Sequence, residues 1–127
     1  MAHVIQTPDA PQPAGHYSQG LLDNGWLFVS GQLPIDAATG RFVPGTIEEQ
    51  TRLVIANVKA VVQAAGGTLD DVVKVTLYFS DVAFWPQINA IYAEAFGAHK
   101  PARSAVPTPK LHYGADIEME AIAIIRR

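Results

Sequence analysis

Arg103 stands in Pro101-Ala102-Arg103-Ser104, where a loop gives way to a strand. A guanidinium in that position can hold a carboxylate through two parallel hydrogen bonds, or pair with an acid of its own chain. The acids in question are Glu118 and Glu120, in Ile117-Glu118-Met119-Glu120-Ala121-Ile122-Ala123. A carboxylate inside an isoleucine-rich strand needs either a partner or water. Two residues apart, this pair would share one face at a spacing of about 7 Å. Burial of both would raise the pKa of one and suit it to proton transfer near neutrality. For Glu118 a satisfied salt bridge is the competing reading; for Glu120 a rim position with a basic partner is favoured. Ser30 ends a strand in Ser30-Gly31-Gln32, beside a glycine that lets a ligand approach backbone N–H groups. No histidine or lysine adjoins Ser30 to activate it, so it reads as a ligand-orienting hydroxyl rather than a nucleophile. Asn89 lies near the start of a helix and off its apolar stripe, which makes it a cap or surface residue on spacing alone. Of the four histidines, His3, His16, His99 and His112, no two stand at i, i+4. Each reads as a solvated side chain, with His16 set apart by its neighbour Tyr17. No Gly-x-Gly-x-x-Gly, P-loop or zinc-type spacing is present.

The elements that must position these residues follow from periodicity. Asp23-Asn24-Gly25 is a hairpin signal between strands at 17–22 and 26–32. Thr46 and Glu49 form a Thr-x-x-Glu capping box ahead of a helix, and Gly66-Gly67 ends it. Residues 72–80 alternate as a strand, with Val73, Val75, Leu77 and Phe79 on one face and Lys74, Thr76 and Tyr78 on the other. Asp81 caps a second helix through about Phe96, with Pro86 tolerable in its first turn and a stripe of Trp85, Ile88, Tyr92 and Phe96. Strands at about 103–108 and 115–125 complete the order β-β-α-β-α-β-β. The expected fold class is α+β, a mixed sheet with two helices on one face. Ile122 and Ile124 lie opposite Met119 and Ala121, so the uncovered face would be an apolar patch and a homo-oligomer is expected.

The chain has 127 residues, 49% apolar and 17% charged, which suits one domain over residues 1–127 with a proper core. Nine basic against twelve acidic side chains give a net charge of −3, an unclustered balance that argues against nucleic acid or anionic lipid as a partner. With no cysteine, a disulfide framework, a thiolate metal site and a cysteine nucleophile are excluded. The first fifteen residues have no secretory character and no apolar run reaches membrane length, so a cytoplasmic protein is expected.

Gly15-His16-Tyr17-Ser18-Gln19-Gly20, Ser30-Gly31-Gln32-Leu33-Pro34, Gln50 with Asn57, Val73-Lys74-Val75, Asn89-Ala90-Ile91-Tyr92, Pro101-Ala102-Arg103-Ser104 and the segment around Glu118 together resemble the RidA/YjgF family, also known as liver perchloric-acid-soluble proteins. The resemblance runs through nearly the whole chain in order. It implies a chorismate-mutase-like fold, a homotrimer with clefts between subunits, and enamine/imine deamination of small 2-imino acids to 2-oxo acids and ammonia, with no metal or organic cofactor. It implies that Arg103 clamps the substrate carboxylate and Glu118 positions the attacking water. Tyr17, Ser30, Gly31, Asn89 and Ala105 would line the cleft.

The chain departs from the family at several points. His16 stands where a proline is usual, Ala105 replaces a frequent cysteine, and Lys100 replaces a common aromatic. The segment Gly97-Ala98-His99-Lys100 is shorter than usual, and Leu111-His112 replaces Leu-Pro. These changes leave open a larger enamine, such as 2-aminomuconate or an aminoacrylate, or a non-catalytic ligand-binding trimer. Arg103 counts against the latter. Ribonuclease and translation-inhibitor labels also attach to the family; the negative charge and the lack of a basic stripe count against them.

Overall fold

Asn24 and Gly25 take positive φ, 52° and 82°, and the tight turn they form folds β2 (Gly20–Asp23) back onto β3 (Trp26–Gln32). Around this hairpin the computed structural model describes residues 1–126, one residue short of the expected domain. β1 (His3–Ile5) pairs with β2; α1 (Ile47–Ala64), β4 (Val72–Phe79), α2 (Trp85–Phe96), β5 (Ala102–Pro107) and β6 (Ile117–Ile124) follow. The sheet order is β1-β2-β3-β6-β4-β5, antiparallel except where β4 and β5 run parallel. The architecture is α+β, a mixed six-stranded sheet with two helices, as expected.

The capping box at α1 forms in full: Thr46 Oγ1 accepts from the Glu49 N–H at 3.1 Å, and Glu49 Oε1 accepts from the Thr46 N–H at 2.9 Å. Val54, Val58, Val61 and Val62 of α1 pack on Leu27, Val75, Leu77, Met119 and Ala123 of the sheet, all fully buried, and Ile88 of α2 joins the same core. The other sheet face carries no helix. There Trp26 and Phe28 stack at 6.4 Å and remain 46% and 48% exposed, in register with half-buried Ile124 and Ile122. That is the uncovered apolar face the strand alternation foretells.

Four local expectations need correction. β1 is an added strand, three residues long and held only by β2. The strand placed at 17–22 is regular only from Gly20, because the Gln19 side chain is committed to other backbone groups. Val72, not Val73, joins the buried face of β4, since a bulge between Val72 and Lys74 shifts the phase by one residue. Asp81 caps a short 3₁₀ turn at Val82–Phe84, its Oδ1 accepting from the Ala83 N–H at 2.8 Å, and α2 begins at Trp85 with Pro86 in its first turn.

Candidate active site

The first group of candidates gathers where β6 meets β3. In β6 the residues Ile117, Met119, Ala121 and Ala123 face the core, which turns Glu118 and Glu120 to the open face. Glu118 lies opposite Tyr78 of β4, and Tyr78 donates its hydroxyl proton to Glu120 Oε1 at 2.7 Å. Glu120 is therefore held by a phenol and not by the basic partner expected for it. That bond, which favours the phenol over the phenolate, holds the Tyr78 pKa up.

On the other side of β6, a bulge between Val29 and Gln32 displaces Ser30 and Gly31 from the ladder. Ser30 Oγ donates to the Ser18 carbonyl at 2.6 Å, and the Ser30 N–H donates to the Gln19 carbonyl at 3.0 Å. The hydroxyl proton is thus spent on backbone, and only the oxygen lone pairs are left for a ligand. Gly31 is a close-approach position: a Cβ there would overlap the Glu118 carboxyl. Burial pushes the Glu118 pKa up, the charge of His112 pulls it down, and Glu120 pushes it up again.

A cavity of about 240 Å³ opens beside Gly31, walled by Tyr17, His112, Tyr113 and the lead-in segment around Pro11 and Gln12. That wall hangs on Gln19, which is 1% exposed. Its amide accepts from the Thr7 N–H at 2.7 Å and donates to the carbonyls of Thr7, Ala10 and Pro11 at 3.1, 3.1 and 2.9 Å. Asn57 of α1 does the same for the following loop, donating to Leu33 and Ile35 carbonyls at 3.1 and 3.0 Å. A second hollow, of about 430 Å³, lies on the open face between Tyr17, Phe28, Ser30 and Glu120.

The second group sits on the far edge. Arg103 and Ala105 of β5 are in register with Val75 and Leu77, so their side chains leave the sheet on the helix-covered side. The Arg103 guanidinium carbon lies 4.7 Å from the Trp85 ring centre and 4.8 Å from that of Tyr92. Nη1 donates to Asn89 Oδ1 at 2.9 Å. Trp85, Asn89 and Tyr92 stand at i, i+4 and i+7, one face of α2, which is how a helix builds a cradle for a planar cation. Asn89 is thus neither cap nor idle surface: it fixes the rotation of the guanidinium. Among the described residues Arg103 forms no ion pair, so it is not the structural partner of Glu118 or Glu120. Burial raises the Tyr92 pKa, opposed by the Arg103 charge. Beside this cradle is a cavity of about 380 Å³, bordered also by His99 and Lys100. Ala105 faces the same side but does not line it.

One chain does not bring the two groups to one ligand. Arg103 projects from β5 on the helix side, Glu118 from β6 on the open side, and β4 runs between them. Tyr17, Ser30, Gly31 and Glu118 form one half of a candidate site; Asn89 and Arg103 form the other. Three contributors escape a reading of the sequence: the Trp85 and Tyr92 rings, which look like core stripe; His112; and Gln19, whose role is to hold a wall. The i, i+4, i+7 spacing of Trp85, Asn89 and Tyr92 was the available signal. No group of metal-ligating side chains is found among the described residues, and no helix there is long and apolar enough to cross a membrane.

A six-stranded mixed sheet covered on one face by two helices, with a cradled arginine at one edge and a carboxylate against a glycine near the other, defines an α+β class of small-ligand proteins. The chain belongs to the RidA/YjgF family: the family model described as Endoribonuclease L-PSP matches residues 7–125. A RutC family protein of Pyrococcus horikoshii is 49% identical over 123 residues, covering 97% of this chain and 98% of the relative. A 2-iminobutanoate/2-iminopropanoate deaminase of Dermatophagoides farinae is 38% identical over 122 residues, covering 96% and 95% of the two chains. The crystal structure of E. coli TdcF with bound serine superposes with a TM-score of 0.92 at 37% identity, covering 96% of this chain and 98% of TdcF.

Proposed function

We propose that the chain is an enamine/imine deaminase that hydrolyses small 2-imino acids, 2-iminobutanoate and 2-iminopropanoate, to 2-oxo acids and ammonia. The observation that carries this reading is Arg103: a guanidinium held between two rings, oriented by an amide, and left without a carboxylate of its own chain. Such a group is set to take the carboxylate of a ligand by two parallel hydrogen bonds. The deaminase relative and the amino acid bound by TdcF support a substrate with an α-carboxylate and a nitrogen.

In the reaction, Arg103 fixes the substrate carboxylate and so aims the C=N carbon. Glu118 accepts a proton from water as the oxygen adds to that carbon, and the proton is returned to the nitrogen, which leaves as ammonia when the carbonyl forms. Tyr17 and the Ser30 oxygen line the opposite wall, and Gly31 leaves room for the carboxyl. A protonated imine is electrophilic enough for positioning and acid–base chemistry to carry the step. Because Arg103 and Glu118 leave one chain on opposite faces, the reading requires each half of the site to come from a different copy, in a homotrimer whose uncovered apolar faces are the contacts.

The test is a coupled assay in which a pyridoxal-phosphate dehydratase generates 2-aminocrotonate or 2-aminoacrylate and oxo-acid formation is followed. Arg103→Ala should lower kcat/KM by about 10²-fold or more, and Arg103→Lys by nearly as much, because a point charge cannot replace the fork. Light scattering should show both variants in the wild-type oligomer. Unchanged turnover in Arg103→Ala would remove the mechanism. A second reading, a larger enamine with a second acidic group such as 2-aminomuconate, is favoured by one observation. The 380 Å³ cavity is bordered by Arg103, Lys100 and His99 and by no acid. Under it, Lys100→Met would lower activity on the diacid and spare the four-carbon imine.

A further inference from the structure

The geometry points to His112 as a positioning residue for Glu118, one that keeps its carboxyl anionic beside the cavity wall made by Gly31; this rests on the hydrolytic reading above. His112 and Gly31 border the same 240 Å³ cavity, and the Glu118 carboxyl lies directly against Gly31. His112 is placed there by a tight turn ahead of β6. Its carbonyl accepts from the Ala115 N–H at 3.1 Å, the Gly114 N–H donates to Leu111 at 3.2 Å, and Tyr113 is forced to a φ of 63°. A non-glycine residue in that region is uncommon, so the turn is held by its surroundings.

The groups facing Glu118 are few. Along β6 stands Glu120, and from β4 comes Tyr78, already bonded to Glu120. The lead-in contributes Tyr17 and the turn contributes Tyr113 to the adjoining cavity. Of these, Glu120 raises the proton affinity of Glu118 and the tyrosines carry no positive charge. His112 is the one cationic side chain in the group, and its charge draws the carboxyl toward the anion against burial. A general base that must accept a proton from water is useless while it is itself protonated.

The experiment is the pH profile of kcat/KM on 2-iminobutanoate for wild type, His112→Gln and His112→Lys, alongside a carbon-13 NMR titration of the Glu118 carboxyl. Loss of the positive neighbour should move the acid limb to higher pH by roughly one unit. His112→Gln should then be about tenfold slower on that limb, converge with wild type at alkaline pH, and be restored by His112→Lys. Equal displacement in both variants, or none, overturns the inference, since a merely structural role would not distinguish Gln from Lys. If the variants fold poorly, wild type alone decides: the Glu118 resonance must show a second inflection as the histidine titrates, and a single inflection overturns it. Should the protein hydrolyse no imine while the Glu118 titration still follows His112, the pairing stands and the deaminase reading falls. Hydrolysis with an unmoved Glu118 titration has the opposite meaning.

Discussion

Gly31→Ala separates activity from stability. Gly31 is not in the positive-φ region, so its backbone accepts alanine, and the only group in the way of the new methyl is the end of the Glu118 side chain. A carboxyl at the end of a flexible chain can retreat, and the unfolded chain loses freedom with alanine, so stability should change by less than about 1 kcal/mol in either direction. The carboxyl must move by about 1 Å, a displacement that at a reacting centre costs on the order of 10²-fold in rate, or about 2.7 kcal/mol of barrier. Gly20→Ala is the mirror image. Its Cβ would stand 2.9 Å from Val61 Cγ1 and 3.3 Å from Leu27 Cδ1, both fully buried and unable to yield. Overpacking there should cost about 1–3 kcal/mol with kcat retained. Urea denaturation and steady-state kinetics on both variants give the four numbers needed. A Gly31→Ala protein that turns over at the wild-type rate would refute the placing of Glu118 as the group that holds water.

Two further outcomes follow from the same geometry. Burial raises the Glu118 pKa, so the stability linked to its proton is present below the unfolded pKa and is lost as pH rises through the native one. Glu118→Gln should accordingly have a higher Tm than wild type at neutral pH and an equal one near pH 4, and an offset independent of pH would contradict this. Gln19→Leu removes the amide that binds Thr7, Ala10 and Pro11, leaving buried backbone groups unpaired. It should lower the unfolding free energy by about 1–3 kcal/mol in chemical denaturation and expose the lead-in to proteolysis before the sheet.

Those features that rest on short-range chemistry were legible in the sequence. The Thr46–Glu49 box, the Asn24-Gly25 turn, the alternation of β6 and the apolar open face are each fixed by neighbours within a few residues. What escaped depends on pairing across the chain. β1 has three residues and no turn signal of its own, and becomes a strand only because β2 offers it an edge. The bulge that trades Val73 for Val72 is invisible to a period of two. The same limit applies to the site. Nothing in the spacing of Arg103 and Glu118 says on which side of the sheet each emerges; only the registers Val75–Arg103 and Tyr78–Glu118 decide it. Trp85 and Tyr92 satisfied a helical stripe, so their second duty as a cradle was masked by the first.

The dependence of the lead-in on Gln19 has a consequence for how such a protein can change. Half of the hollow next to Gly31 is bounded by strands, whose alterations disturb the core. The other half is a ribbon outside the sheet, moored by a single amide to three carbonyls and one N–H. Residues on that ribbon, His16 among them, can be exchanged or respaced without repacking anything beneath, so long as the mooring survives. Ligand preference can therefore drift along residues 11–17 while the floor that holds the reactive carboxyl stays as it is.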